Sequence, residues 1–188
     1  MVDLAGKAIP TALVGAGGIG KTSIALALLH HNQTKQWFGC YCRFIRCDQF
    51  TLLSAHFLRR LSNVISAGIE NPENLTSLRT FLSSKKMLIV LDNAESILDP
   101  QGTDAQEIYT MVEELSQFDN IYIYITSCIS TTSDHKYLDV PMLLMCTAHD
   151  TFYHIYGNDT DRVDSILGQL DFHPFSITLL ATVARQDE

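Results

Sequence analysis

The stretch that most constrains this chain is residues 11–31, TALVGAGGIGKTSIALALLHH. A short apolar run ends at Val14, the pattern GxxxxGK[ST] occupies Gly15 to Thr22, and an Ala/Leu-rich segment without a breaker follows. A strand, a glycine-rich turn and a helix in that order are the setting of a phosphate-binding loop. Glycines let successive backbone N–H groups turn inward around an anion, because they accept positive φ and carry no Cβ. The helix that follows points its positive end at the same anion. Lys21 has the reach for the outer phosphates, and the Thr22 hydroxyl suits a Mg²⁺ shell. The spacing therefore predicts that Gly15, Ala16, Gly17, Gly18, Ile19, Gly20, Lys21, Thr22 and Ser23 line a nucleotide-phosphate site. A glycine-rich turn with no ligand is the alternative.

Charge and hydropathy remove several other classes. The net charge is −8 and there is no Lys/Arg-rich run, which argues against a nucleic-acid ligand. No apolar stretch approaches the roughly 20 residues of a membrane span. Asp3 and the absence of an apolar run near Met1 argue against a signal peptide, so a cytoplasmic protein is expected. Cysteines at 40, 42, 47, 128 and 146 form no C-x-x-C pair and read as reduced thiols.

Met1 to Ile9 reads as the tail of an upstream segment, and Pro10 as the entrance to a first strand, Thr11–Val14. A first helix is expected from about Gly20 to His31, ending in the polar Asn32-Gln33-Thr34-Lys35. Tyr41–Cys47 reads as a second strand with Asp48 at its tip. Leu53, Phe57, Leu61 and Ile65 mark one helix face that Gly68 stops, and a short helix is expected over 75–83. Lys86–Leu91 is a continuous apolar run, the signature of a parallel strand buried on both faces, and it ends on Asp92.

After a loop at Asp99–Gly102, Ile108, Met111, Val112 and Leu115 mark another amphipathic helix. Ile121–Ile125 is a fourth strand ending on Thr126-Ser127. A polar loop, 130–136, leads to a fifth strand around Leu138–Leu144. Helices alone follow, at about 148–156, 161–170 and 174–185. Thr147 with Asp150 forms a candidate capping box, and Pro174 suits a first helical turn. Strand–helix alternation through residue 146 followed by helices predicts a parallel α/β core over 1–146 and the start of a helical subdomain over 147–188. Both ends read as cut from something longer.

A phosphate loop needs a metal partner. Asp92, at the carboxyl end of a buried strand, takes the Walker B position, so Thr22 and Asp92 are the expected Mg²⁺ pair. A strand-end aspartate that caps the next turn is the alternative. Hydrolysis further asks for an oriented water and a cation. Asn93 cannot act as a base, which leaves Glu95 as the nearest carboxylate; it serves equally as a solvated or capping residue. Thr126 and Ser127 can reach a γ-phosphate or water, or merely close a strand. Arg43 and Arg46 are read as packing or surface cations.

Together, VGAGGIGKTSIALALLHH, LIVLDNAES, YITS and FHPFSITLLA resemble the STAND-class P-loop NTPases of the NB-ARC/NACHT kind, nearest the NLR-like proteins of fungi. The resemblance runs over nearly the whole chain with its motifs in order. It implies a five-stranded parallel sheet of order 2-3-4-1-5, with the fourth strand inserted between the first and third. It implies ATP or ADP with Mg²⁺ as ligands, Thr126-Ser127 as a sensor, and Pro174 packing against the base, flanked by His173 and Phe175. Other domains of a longer protein, and further copies of the chain on activation, are the partners it implies.

Two departures stand out. Cys128 occupies the place where relatives carry an arginine that reads the γ-phosphate, and a thiol supplies no positive charge. The winged-helix domain and its histidine motif are not in this sequence. An adenine-nucleotide switch with slow or lost hydrolysis is the resulting expectation. A degenerate P-loop scaffold, a GTPase (no N-K-x-D motif is present) and a small-molecule kinase are the alternatives.

Overall fold

The computed structural model describes residues 9–48, 63, 82–95, 103–129, 136–158 and 162–186. Five strands form one parallel sheet: β1 (Thr11–Val14), β2 (Cys42–Arg46), β3 (Met87–Asp92), β4 (Ile121–Ser127) and β5 (Lys136–Asp139). Their order is β2-β3-β4-β1-β5, as expected. Every residue of β3 is buried and β4 is nearly so, which is why both read as unbroken apolar runs. In register, β3 pairs Leu91 with Ile125 of β4, and β4 in turn pairs Ser127 with Val14 of β1. The carboxyl ends of β1, β3 and β4 thus fall on one edge of the sheet, where open α/β folds place their ligands.

The chain divides into two compact units, one comprising Met1–Val14 and Thr22–Leu138, the other Gly15–Lys21 and Asp139–Glu188. The core of the first packs Ala12, Ile45, Met87, Ile89, Leu91 and Ile125 with Ile108, Val112 and Leu115 of α3 (Thr103–Ser116). The apolar face expected of that helix is the buried one. In the second unit, α4 (Met145–Tyr156), α5 (Val163–Gln169) and α6 (Pro174–Gln186) close around Ala148, Phe152, Val163, Leu167, Ile177 and Ala181. Burying a side chain such as Leu167 completely contributes about 1.5–3 kcal/mol.

Several expectations need correction. The first helix, α1, is Lys21–His30, and the polar segment after it is not its fraying end but the start of α2 (Asn32–Phe38). His31 caps α2 by accepting the Gln33 N–H at 3.3 Å, and Phe38 packs edge-on to Tyr122 at 5.2 Å between centroids. Tertiary packing at Phe38 holds a helix that local polarity obscured. The fifth strand ends at Asp139, before Pro141; the apolar residues 142–145 belong to an extended link and to the first turn of α4.

Nor do Thr147 and Asp150 form a capping box. Helix α4 begins two residues before Thr147, and Leu144, its N-cap, has no side chain able to accept a hydrogen bond. Helix α5 starts at Val163 and is shorter than the expected span, whereas Pro174 opens α6 as its first residue. The expected helix of Leu53, Phe57, Leu61 and Ile65, the loops at 99–102 and 130–135, and residue 161 lie outside the described residues. Of the helix expected over 75–83, residues 82 and 83 are described and are helical. Among the described residues no helix is long and apolar enough to cross a membrane.

Candidate nucleotide site

The loop Gly15–Lys21 is shaped by two left-handed glycines, Gly18 at φ +78° and Gly20 at φ +102°, and by a turn bond from Ile19 N–H to the Ala16 carbonyl at 3.4 Å. Ile19 is the loop's apolar anchor, buried where the residues around it are exposed or half-buried. Lys21 is only 7% exposed. A buried ammonium requires acceptors, and its Nζ donates to the carbonyls of Gly15 at 2.7 Å and Ala16 at 2.9 Å. The loop is therefore strapped by its own lysine.

The loop also meets the start of α6. His173 Nε2 donates to the Gly17 carbonyl at 3.0 Å. A Cβ on Gly18 would lie 2.7 Å from Phe175 Cβ and 3.2 Å from His173 Cε1. Pro174 stands between these two contacts in sequence and is half-buried.

On the other unit, Thr22, Asp92 and Thr126 converge. Both hydroxyls donate to Asp92 Oδ1, Thr22 at 2.8 Å and Thr126 at 2.7 Å. Thr126 is itself fixed by the Asn93 N–H, which donates to its Oγ1 at 2.9 Å. Asp92 is 3% exposed, and its Oδ2 takes no hydrogen bond among the described residues. A buried carboxylate oxygen left in this way, beside a hydroxyl seventy residues away in sequence, is the oxygen donor set a hard divalent cation uses. The residues present fit Mg²⁺. Among the described residues no group of three or more His, Cys, Asp or Glu side chains suits a metal by itself.

The other expected residues fall nearby or elsewhere. Glu95 Oε2 accepts the Cys128 N–H at 3.2 Å, tying the turn after β3 to the end of β4. Asn93 is left-handed, with φ 60°. Ser127 is fully buried and closes a local turn, donating to the Ile129 carbonyl at 2.7 Å and accepting its N–H at 3.1 Å. Ser23 is exposed on the first turn of α1. Arg46 pairs with Asp48 at 2.6 Å, and Arg43 donates to the carbonyls of Cys40 and Cys42. Both arginines are thereby used locally on β2.

Two links escaped sequence reasoning: the Thr126–Asp92 bond and the His173–Gly17 bond. The first follows from the strand order, because the pairing of Leu91 with Ile125 sets Asp92 beside Thr126. Nothing in the sequence announces the second.

Cys47 lies against the same strand tips, its N–H donating to the Asp92 carbonyl at 2.8 Å. Burial, and then the charges of Asp92, Asp48 and Glu95, push its thiol well up from the ordinary range. Alkylation of the native protein near neutral pH is therefore expected to mark the exposed Cys40, Cys128 and Cys146 and to spare Cys47 until unfolding. Peptide mass mapping with and without denaturant checks this, and native labelling at Cys47 would contradict it.

No family model matches the chain. Proteins named HTH-type transcriptional regulators in Mycobacterium bovis and Mycobacterium tuberculosis are 27% identical to it over 104 residues, 55% of this chain and 11% of theirs. The chain thus spans about a tenth of the curated relatives it matches. Among solved structures it is similar to the Walker-type ATPase PABY2304 of Pyrococcus abyssi (TM-score 0.65, 13% identity, covering 92% of this chain and 61% of that one). It is also similar to AMPPCP-bound DnaA from Aquifex aeolicus (TM-score 0.58, 14% identity, 96% and 58%). A third similar structure is katanin, solved in a study of its self-assembly (TM-score 0.60, 12% identity, 96% and 58%). The sheet order and these likenesses define the class: the chain has the P-loop NTPase fold.

Proposed function

We propose that this chain is an adenine-nucleotide-binding module of an NLR-like signal-transduction NTPase, of the NB-ARC/NACHT kind, working as a switch with slow or lost hydrolysis. The observation that carries the binding part is the Thr22–Asp92 contact, which joins the last hydroxyl of the loop motif to the strand-end carboxylate at 2.8 Å. In this reading the loop N–H groups from Gly15 to Ser23 and the Lys21 ammonium receive the phosphates, and Pro174 lies against the base. Thr22 and Asp92 hold Mg²⁺, which when bound offsets the phosphate charge. Thr126 fixes the Asp92 carboxylate, and Ser127 shapes the strand end beside it.

Support for adenine comes from the motif resemblance and from the AMPPCP carried by the similar DnaA structure. Slow turnover follows from Asn93 and Cys128, which supply neither a base nor a cation, and from Glu95, which is engaged with the Cys128 N–H. Residues 1–146 would then be the nucleotide-binding core and 147–188 the start of a helical subdomain. The module would sit in a longer cytoplasmic protein and associate with further copies of itself on activation, a behaviour in keeping with the self-assembly of the structurally similar katanin. A scaffold without nucleotide is the second reading, supported by Cys128 and Asn93, which stand where a cation and a base would serve hydrolysis.

A thermal melt with Mg²⁺ and ATP, ADP or GTP, on wild type and Lys21→Ala, separates the two. Ligand at 100 times its dissociation constant adds roughly 2.7 kcal/mol, and for a chain of this length that raises the midpoint by about 5–10 °C. The expected outcome is an adenine-selective rise in wild type that Lys21→Ala abolishes. No rise with any nucleotide would establish the scaffold instead.

A further inference from the structure

We infer that His173 is a positioning residue for the phosphate loop, aiming the Gly18 amide at the bound nucleotide by holding the Gly17 carbonyl from behind. This inference rests on the nucleotide reading above. A carbonyl oxygen only accepts, so the 3.0 Å contact with Gly17 requires the proton on Nε2. The other ring nitrogen agrees, since Nδ1 accepts the Ser176 N–H at 3.5 Å. The ring thus spans two tasks, capping the start of α6 with one nitrogen and gripping the loop with the other.

The peptide between Gly17 and Gly18 is trans, and in a planar trans peptide the C=O and the next N–H point in opposite directions. Holding the Gly17 oxygen toward His173 therefore turns the Gly18 N–H away from it. Free rotation of this Gly-Gly peptide would scatter the donor among several orientations, and fixing it beforehand removes that entropy from the binding step. The close approach of Phe175 and His173 to Gly18 limits the same peptide sterically.

The backbone leading to His173 supports the assignment. Asp171 and Phe172 are both left-handed, at φ 50° and 55°, a conformation unfavourable for residues with a Cβ. They are held by bonds from Phe172 N–H to the Leu167 carbonyl at 3.1 Å and from Leu143 N–H to the Phe172 carbonyl at 3.2 Å. These bonds close the end of α5 and set the path by which the chain enters α6, which places the His173 ring.

Two substitutions divide the ring's tasks. In His173→Asn the carboxamide stands in for Nδ1, so the helix cap survives and the grip on Gly17 is lost. In His173→Gln the amide reaches the position of Nε2, so the grip survives and the cap weakens. Calorimetric titration with ADP and Mg²⁺ is expected to show His173→Asn binding roughly five- to tenfold more weakly, with the melting point of the free protein within about 2 °C of wild type. His173→Gln is expected to bind within about twofold of wild type while melting lower. Wild-type affinity in His173→Asn overturns the assignment. So does equal weakening in both variants, which would make the residue merely structural. Failure of wild type to bind any nucleotide overturns the underlying reading, and this inference with it; that outcome is distinct because it appears before any variant is made.

Discussion

Gly18→Ala is expected to abolish nucleotide-induced stabilisation and to lower the melting point of the free protein by roughly 5–15 °C. Two effects add. A left-handed alanine costs about 1–2 kcal/mol at the φ of +78° that Gly18 adopts. Overpacking contributes about 1–3 kcal/mol more, because the new Cβ would lie 2.7 Å from Phe175 Cβ. That atom is fixed to the α6 backbone, so no rotamer change relieves the contact. Phe175→Ala added to Gly18→Ala removes only the 3.2 Å contact with Cγ and should accordingly restore little, whereas Phe175→Gly should restore more of the loss. Gly17 makes the control: a Cβ there meets nothing within 4 Å, so Gly17→Ala should leave the free protein's melting point within about 2 °C of wild type. Melting curves and ADP titrations on these variants decide the matter, and wild-type behaviour of Gly18→Ala would refute the packing described.

The second large effect is at Asp92, where charge and hydrogen bonding can be separated. Asp92→Ala removes the acceptor of both hydroxyls; the exposed Thr22 can turn to water but the buried Thr126 is left unsatisfied, which should destabilise the chain by roughly 1–3 kcal/mol. Asp92→Asn keeps an oxygen acceptor at that position and should lose under about 1 kcal/mol. It removes the negative charge, however, and should weaken the Mg²⁺ dependence of nucleotide binding by roughly 10–100-fold. Titration of Mg²⁺ at fixed ADP, alongside urea unfolding of both variants, reads the two effects apart. Undiminished Mg²⁺ dependence in Asp92→Asn would remove Asp92 from the metal side of the site.

The sheet was legible because its strands carry their period openly. MLIVL and IYIYI are apolar without interruption, since both faces are covered, and each ends on a polar residue at the ligand edge. Their spatial order was not contained in that pattern and came from motif resemblance. What stayed hidden was decided by tertiary contact. Helix α2 looks polar until Phe38 is seen against Tyr122, and β5 is a half-exposed edge whose apolar neighbours at 142–145 drew the expectation too far along the chain. In the site, Lys21, Thr22 and Asp92 were nameable from spacing. Thr126 was nameable too, as a reader of the γ-phosphate or water or as a residue closing a strand, but its bond to Asp92 was not. The grip of His173 on Gly17 joins residues 156 apart and has no local signal at all.

The left-handed backbone of Asn93 limits which side chains can directly follow Asp92. Asparagine tolerates positive φ better than most residues with a Cβ, and its N–H is committed to Thr126. Exchanging it for glutamate, to place a base directly after Asp92, would put a longer side chain in a conformation that costs an ordinary residue about 1–2 kcal/mol. It would also crowd a second carboxylate against a buried first one. A carboxylate placed directly after Asp92 would thus require the turn to be remodelled before the new side chain could be of use.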